Sequence, residues 1–253
     1  MRLETDIITR KMPARVLKMD RLNDDVMLVQ LQMPSTEPFR YYAGQYLDFI
    51  FKDNVRRSYS IAVAPEEGKV LELHIRHMPG GMFTDRLFGV GERPIKEREI
   101  LRIEGPLGTF FLREDSDKPM IFVASGTGFS PIKALMEDII AKGIQRPITF
   151  YWGGRRPKDL YMNALVEQWA ADLPFFNYIP VVSDALPEDQ WQGRTGFVHQ
   201  AVLDDVEDLS GYQVYACGAP IVVESARKSF INEKGLPETE FFADAFTSAK
   251  DGA

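Results

Sequence analysis

Hydrophobic positions change period once along this chain. Up to about residue 113 they come in short runs, at 14–18, 26–32, 45–51, 57–62, 70–75 and 99–104. In Leu71-Glu72-Leu73-His74-Ile75 the odd positions are apolar, the two-residue period of a strand with one buried face. Turn residues separate the runs, as at Asp53-Asn54 and Glu66-Glu67-Gly68. Six short strands so punctuated predict a small antiparallel barrel. The charged stretch Arg113-Glu114-Asp115-Ser116-Asp117-Lys118-Pro119 then reads as a linker. Beyond it, an apolar run at 120–124 predicts a strand, and Ile132, Leu135, Met136, Ile139 and Ile140 fall on one helical face. Strands at 148–152, 176–182, 213–216 and 241–244 alternate with helices around 164–170, 197–204 and 221–233. Such alternation predicts a mainly parallel sheet covered on both faces. The expected organisation is therefore two-domain, β followed by α/β: an antiparallel six-stranded barrel over 1–113 and a parallel-sheet α/β domain over 114–253. No internal repeat is visible, and 247–253 reads as a loose tail.

A chain of 253 residues is long enough for two small cores. The net charge of −7 comes with no concentrated basic block, which argues against a nucleic-acid partner, because phosphate backbones are bound by clustered Lys and Arg. No apolar run approaches the roughly 18 residues needed to cross a bilayer, so no membrane partner is expected. Residues 1–11 are charged and lack the apolar core of a signal peptide, and the expected location is the cytoplasm. The single cysteine, Cys217, cannot form an internal disulfide, an iron–sulfur cluster or a thiolate zinc site by itself. His74 and His77 lie either side of Arg76 and His199 is distant, so no metal site is expected.

Four motifs carry candidate chemistry. Ala124-Ser125-Gly126-Thr127-Gly128-Phe129-Ser130-Pro131 follows an apolar strand and opens an amphipathic helix. Its glycines let backbone N–H groups approach a pyrophosphate, and the helix dipole favours the negative charge. Pro131 suits the first helical turn. It also stands where G-x-G-x-x-G would place its third glycine, and no Gly-Lys-Ser/Thr follows to make a P-loop. A tight turn without a ligand would read the same. In the barrel, Arg57-Ser58-Tyr59-Ser60 offers a guanidinium for a diphosphate, a ring to lie against a flavin, and a hydroxyl on the opposite face. An exposed strand of mixed polar side chains is the plain alternative. Pro79-Gly80-Gly81-Met82-Phe83-Thr84 is a second glycine turn, entering a helical stretch with Leu87 and Phe88, and reads either as a second anion cradle or as an ordinary turn. Cys217-Gly218-Ala219-Pro220 sits between a strand and a helix, at the carboxyl end where parallel sheets bind ligands; a buried small thiol is the alternative.

In this order the motifs resemble the ferredoxin–NADP reductase superfamily. Within it the chain is most similar to the NADH-dependent reductase components of ring-hydroxylating oxygenases and to the CDP-6-deoxyglucoseen reductase group, over about 14–246. The resemblance implies an FAD-binding barrel and a nicotinamide-binding α/β domain. Arg57, with Ser58 beside it, would bind the FAD pyrophosphate, Tyr59 would pack on the flavin, and Ser60 would meet it near N5. His74, Ile75 and Arg76 match the segment that holds the flavin edge. Gly81, Met82, Phe83 and Thr84 match the amide cradle for the FAD pyrophosphate. Gly126, Thr127 and Gly128, with Pro131, match the nicotinamide-dinucleotide turn, and Cys217 and Gly218 the pair beside the nicotinamide. Asp244-Ala245-Phe246 resembles a terminal acid-x-aromatic element whose ring covers the flavin. Ser60, Cys217, Asp244 and Phe246 thus become the expected residues of the reacting centre.

Two departures stand out. Relatives often end on Tyr with Glu two residues earlier, whereas here seven residues follow Phe246 and the acid is Asp244. Many also carry a fused plant-type ferredoxin with four cysteine ligands, and this sequence has one cysteine. The implied function is a flavoprotein reductase that takes hydride from NADH, or NADPH, onto FAD and passes electrons to an iron–sulfur protein or oxygenase. Arg155 and Arg156 could serve a 2′-phosphate, while Asp184 would repel one; since the closer relatives favour NADH, NADH is the expected donor. A reductase of free flavin and a non-catalytic redox-binding subunit are the competing readings.

Overall fold

A computed structural model describes residues 7–35, 38–66, 70–90 and 92–246. The turn expected at 66–68 lies partly, and the tail at 247–253 wholly, outside the described residues. The first sheet holds β1 (Arg10–Arg21), β2 (Val26–Gln32), β3 (Tyr46–Ile50), β4 (Arg56–Ser60), β5 (Leu71–Arg76) and β6 (Ile100–Leu107). Their order is β4-β3-β6-β1-β2-β5, with every pair antiparallel. The two ends of that order meet at the bridge Ile61↔Leu73, where the Ala62 N–H also donates to the Glu72 carbonyl at 2.7 Å. Closure leaves the barrel without a long open edge. Alternation decides which face is inside: Leu71, Leu73 and Ile75 join Val29, Leu31, Leu47 and Phe49 in one core, each worth about 1.5–3 kcal/mol when fully buried. Strand β1 is longer than its apolar stretch suggests, because pairing with both β2 and β6 supports its polar ends. The short helix α1 (Thr84–Leu87) follows the second glycine turn.

The second sheet holds β7 (Met120–Ser125), β8 (Ile148–Gly154), β9 (Phe176–Val182), β10 (Arg194–Thr195), β11 (Gln213–Gly218) and β12 (Phe241–Ala245). Its order is β10-β9-β8-β7-β11-β12 and all its pairs are parallel. The helices between these strands in chain order are α2 (Phe129–Lys142), α3 (Asn163–Asp172), α4 (Val198–Asp205) and α5 (Pro220–Lys234). Strand β10 has only two residues, too few for any periodicity to reveal. Alternate strand residues serve different cores. Ile121, Val123, Tyr151, Val214 and Ala216 pack with Val202, Ala226 and Phe230 of α4 and α5. Phe150 and Trp152 instead meet Phe129, which stacks on Trp152 with ring centroids 4.2 Å apart, and α3 adds Trp169 beside Phe129. Such ring pairs add about 0.5–1.5 kcal/mol beyond buried area. Strands β7 and β11 are neighbours from which the chain runs outward in opposite senses, so their carboxyl ends flank the topological switch point where open parallel sheets take ligands.

The chain divides into two compact units, one up to Leu112 together with Ser130–Lys142, the other Arg113–Phe129 with Gly143 onward. Polar contacts fasten the helical segment of the first unit to its barrel. The buried Lys133 Nζ donates to the Ala62 carbonyl (2.9 Å) and pairs with Glu72 Oε1 (3.0 Å) and Glu137 Oε1 (2.7 Å). Glu137 Oε2 in turn accepts from the Ala64 N–H at 3.0 Å. Among the described residues no helix is long and apolar enough to cross a membrane.

Candidate functional site

In the barrel unit, strand register assigns the side chains of the Arg-x-Tyr-Ser stretch. Arg57 lies opposite Phe49 and Tyr59 opposite Leu47, while Ser58 and Ser60 lie opposite Asp48 and Tyr46 on the other face. Tyr59 packs half-buried on Phe49 (5.8 Å) and Phe83 (5.7 Å), and burial pushes its phenol well above the usual range, so it stays protonated. Arg56 is held by Asp48 and Glu104. Arg57 donates instead to the Arg56 carbonyl at 2.7 Å, and no carboxylate pairs with it among the described residues. A half-buried guanidinium on the strand face of Tyr59, with no carboxylate partner among the described residues, is suited to a diphosphate. Ser60 is buried, and the exposed Ser58 donates to Asp48 Oδ1 at 2.6 Å.

The second glycine turn offers mainly backbone. A Cβ on Gly81 would sit 2.5 Å from Thr84 Oγ1 and 2.7 Å from the Met78 carbonyl oxygen, so the turn closes only around glycine. Thr84 Oγ1 donates to the Met78 carbonyl at 2.9 Å and accepts from the Met78 N–H at 3.2 Å. The Phe83 ring is buried against Phe49 (4.8 Å) and Phe51 (5.1 Å), and Met82 is exposed. The N–H groups of Met82 and Phe83 donate to no acceptor among the described residues. That is the donor arrangement an anionic group needs. His74 and Ile75 likewise have buried side chains, so they can present only backbone outward. The His74 ring sits 3.1 Å from Glu72 Oε1, and burial keeps it neutral by lowering its pKa. Arg76 is 3.5 Å from Asp25.

In the α/β unit the motifs converge at the carboxyl ends of β7, β11 and β12. Gly126 has a left-handed φ of 53°, and its carbonyl accepts from Trp152 Nε1 at 3.0 Å. A Cβ on Gly128 would lie 2.4 Å from the Cys217 carbonyl oxygen. Gly218 has a φ of 120°, and a Cβ there would lie 2.3 Å from Ser125 Oγ, which accepts from the Ala219 N–H at 2.9 Å. Cys217 is buried and its Sγ donates to the Gly128 carbonyl at 2.7 Å. Burial foremost, and then Asp244, push the thiol up, so it is neither thiolate nor base. Asp244 pairs with Cys217 in register, and the Phe246 N–H donates to the Gly218 carbonyl at 2.8 Å. Thr127 is half-buried and Pro131 is buried in the first turn of α2. Ser130, next to Pro131, has a buried hydroxyl with no hydrogen-bond partner among the described residues, a polar group that motif reading passed over.

The loops after β8 and β9 are joined: the Ser183 N–H donates to the Gly154 carbonyl (2.9 Å) and the Asp184 N–H to the Arg155 carbonyl (2.8 Å). Asp184 is exposed there. A concavity of about 530 Å³ bounded by Glu114, Asp117, Gln145 and Arg146 lies before the starts of β7 and β8, at the sheet edge opposite the glycine turns, and has no part in this arrangement. Sequence reasoning also missed the Glu72–Glu137 pair around the buried Lys133, whose one local sign is a lysine interrupting the apolar face of α2.

Comparison with known proteins agrees with this two-domain architecture. Residues 13–112 match the oxidoreductase FAD-binding domain family and 122–228 the oxidoreductase NAD-binding domain family. The CDP-6-deoxy-L-threo-D-glycero-4-hexulose-3-dehydrase reductase of Yersinia pestis is 43% identical over 94% of this chain and 69% of its own length. The chain belongs to the ferredoxin reductase-like oxidoreductases. Reductase component 1 of the terephthalate 1,2-dioxygenase of Comamonas is 35% identical over 96% of this chain and 70% of its own. A solved structure, the ferredoxin reductase in carbazole 1,9a-dioxygenase, superposes with a TM-score of 0.83 at 26% identity, covering 96% of this chain and 71% of that one. This chain is accordingly a flavoprotein reductase with FAD- and NAD-binding domains that takes hydride from a reduced nicotinamide onto FAD and passes electrons on.

Proposed function

We propose that this reductase holds FAD through Arg57, Tyr59, Ser60 and the Met82–Phe83 amides, prefers NADH, and delivers electrons to an iron–sulfur protein. The observation that carries the reading is the guanidinium of Arg57, which has no carboxylate partner among the described residues and shares its unit with the open amides of the Gly81 turn. Bound FAD accepts a hydride as an electron pair and can release electrons singly. The chain's own residues bind and orient. Ser60 offers a hydroxyl, Cys217 and Gly218 shape the nicotinamide end with a protonated thiol and a close-packed backbone, and Gly126–Gly128 present the helix N-terminus to the dinucleotide pyrophosphate. Hydride transfer asks for no strong acid or base among them. The barrel over 1–113 and the α/β domain over 114–253 are the functional halves, and the cytoplasm is the proposed setting.

Arg57→Ala removes a charge-assisted contact worth about 1.5–3 kcal/mol, so the Kd for FAD should rise roughly ten- to hundredfold. Flavin fluorescence on dilution reads this directly, and an unchanged Kd would remove Arg57 from the site. Phe246 is proposed as the ring that covers the flavin and must yield to nicotinamide, so Phe246→Ser should tighten NAD⁺ binding in an absorbance titration. Identical titrations would leave Phe246 as a residue that merely closes the sheet. The acceptor is tested by anaerobic NADH-driven reduction of an added plant-type ferredoxin, followed in the visible spectrum. Rapid reduction supports the proposal. Reduction of free FMN alone, with ferredoxin left oxidised, would favour a free-flavin reductase.

A further inference from the structure

The loop after β8 carries two arginines, and the structure treats them differently. Arg155 is largely exposed, 3.8 Å from Asp159, with its side chain 72% accessible. Arg156 is engaged on both edges of a carboxylate: Nε donates to Asp189 Oδ2 at 2.6 Å and a terminal nitrogen donates to Oδ1 at 2.8 Å. Glu188 adds a second carboxylate at 3.6 Å. Asp189 is itself fixed, since its Oδ2 also accepts from the Leu186 N–H at 2.9 Å, at the head of the short turn Pro187–Asp189. A bidentate guanidinium–carboxylate pair uses the fork of donors that would otherwise grip a phosphate.

The place matters as much as the pair. These loops leave the carboxyl ends of β8 and β9, next in order to β7 and its glycine turn. In open parallel sheets that hold a dinucleotide at the first βα turn, the adenosine ribose reaches the end of the neighbouring strand. There an acid accepts from its 2′-hydroxyl, or an arginine takes the 2′-phosphate. The cations of this loop pair, Arg155, Arg156 and Lys158, face the carboxylates Asp159, Asp184, Glu188 and Asp189. The balance is one negative charge, before any phosphate is added.

We propose that Asp189 is a specificity-determining residue, which disfavours NADPH by withholding Arg156 from the 2′-phosphate. The proposal rests on the reading above that the Gly126–Gly128 turn holds the dinucleotide and that NADH is preferred. It narrows the sequence reading, in which Arg155 and Arg156 could serve a 2′-phosphate and Asp184 would repel one. Of the two, only Arg155 stays largely exposed, and the charge around it is unfavourable.

Asp189→Asn keeps an acceptor for the Leu186 N–H and removes the charge that holds Arg156. With a dye acceptor, NADPH kcat/KM should rise about tenfold while NADH stays within about twofold, a change of about 1.4 kcal/mol in discrimination. Adenosine 2′,5′-bisphosphate, titrated by calorimetry into the flavin-loaded protein, should bind about tenfold tighter, and 5′-AMP should bind as before. Arg156→Ala in the Asp189→Asn background should abolish both gains. Arg156→Ala alone, which does not depend on the Asn variant folding well, should leave binding of the bisphosphate unchanged. Weaker bisphosphate binding in that single variant would show Arg156 already at the phosphate and overturn the proposal. So would an Asp189→Asn protein whose bisphosphate affinity does not move. A wild-type protein that prefers NADPH would instead overturn the donor reading, an outcome visible before any variant is made.

Discussion

Lys133→Met should lower the unfolding free energy at pH 7 by about 1.5–3 kcal/mol, the usual worth of hydrogen bonds to a charged group. Lys133 is 5% exposed and contacts Glu72, Glu137 and the Ala62 carbonyl at once. Without its charge, two carboxylates keep their places with no cation between them. The effect is linked to pH. Burial pushes the Glu72 carboxyl up, but the hydrogen bond to His74 and the Lys133 charge outweigh it and hold the group at about 2, against an ordinary value of 4.5. A carboxyl depressed on folding adds stability that is present above the ordinary value and is lost as pH falls toward the folded value. His74 acts in the same direction: kept neutral by burial, it favours unfolding once pH falls below its ordinary 6.5. Urea midpoints from pH 7 down to pH 3 should therefore fall for wild type, with the gap to Lys133→Met narrowing as Glu72 of the variant, no longer beside the ammonium, takes up its proton. A gap below about 1 kcal/mol at pH 7 would show that the cluster contributes little.

Gly128→Ala should reduce NADH kcat/KM by about a hundredfold while FAD stays bound. The new Cβ would lie 2.4 Å from the Cys217 carbonyl oxygen, 2.7 Å from its carbonyl carbon and 3.0 Å from Gly218 Cα. All three are backbone, so no side chain can swing away. Either the turn or the end of β11 must shift, and a displacement of about 1 Å at a positioning element costs on the order of a hundredfold in rate. Overpacking of this kind also costs about 1–3 kcal/mol of stability. Stopped-flow reduction of the flavin by NADH reads the kinetic effect, and the absorbance ratio of flavin to protein reads cofactor content. Wild-type kinetics in the variant would mean that the turn does not bear on the dinucleotide.

Much of the architecture was legible in the sequence, because period-two and period-3.6 patterns report directly which faces are buried. Leu71, Leu73 and Ile75 point into the barrel core as the alternation requires, and Arg57 and Tyr59 share a strand face. The helical face of Ile132, Leu135, Met136 and Ile139 is buried, whereas Ile140, at its margin, is partly exposed. What failed to show was long-range or dual in purpose. The polar ends of β1 and the two-residue β10 are strands because of their partners, not their own composition. The motifs marked Ile75 and Phe83, but their side chains belong to the core, so only their backbone is open to a ligand. Glu72 and Lys133 come from distant parts of the chain, and so do Arg156 and Asp189, 33 residues apart. No local pattern announces such pairs.

The most direct test of the account is an anaerobic titration of the FAD-reconstituted protein with NADH, followed at the visible flavin band. The account predicts a yellow protein whose heat-released flavin is FAD, and loss of the band in proportion to NADH, complete at about one equivalent per flavin, the stoichiometry of a two-electron hydride acceptor. A protein that retains no FAD after reconstitution, releases FMN, or keeps its flavin oxidised under excess NADH would contradict it.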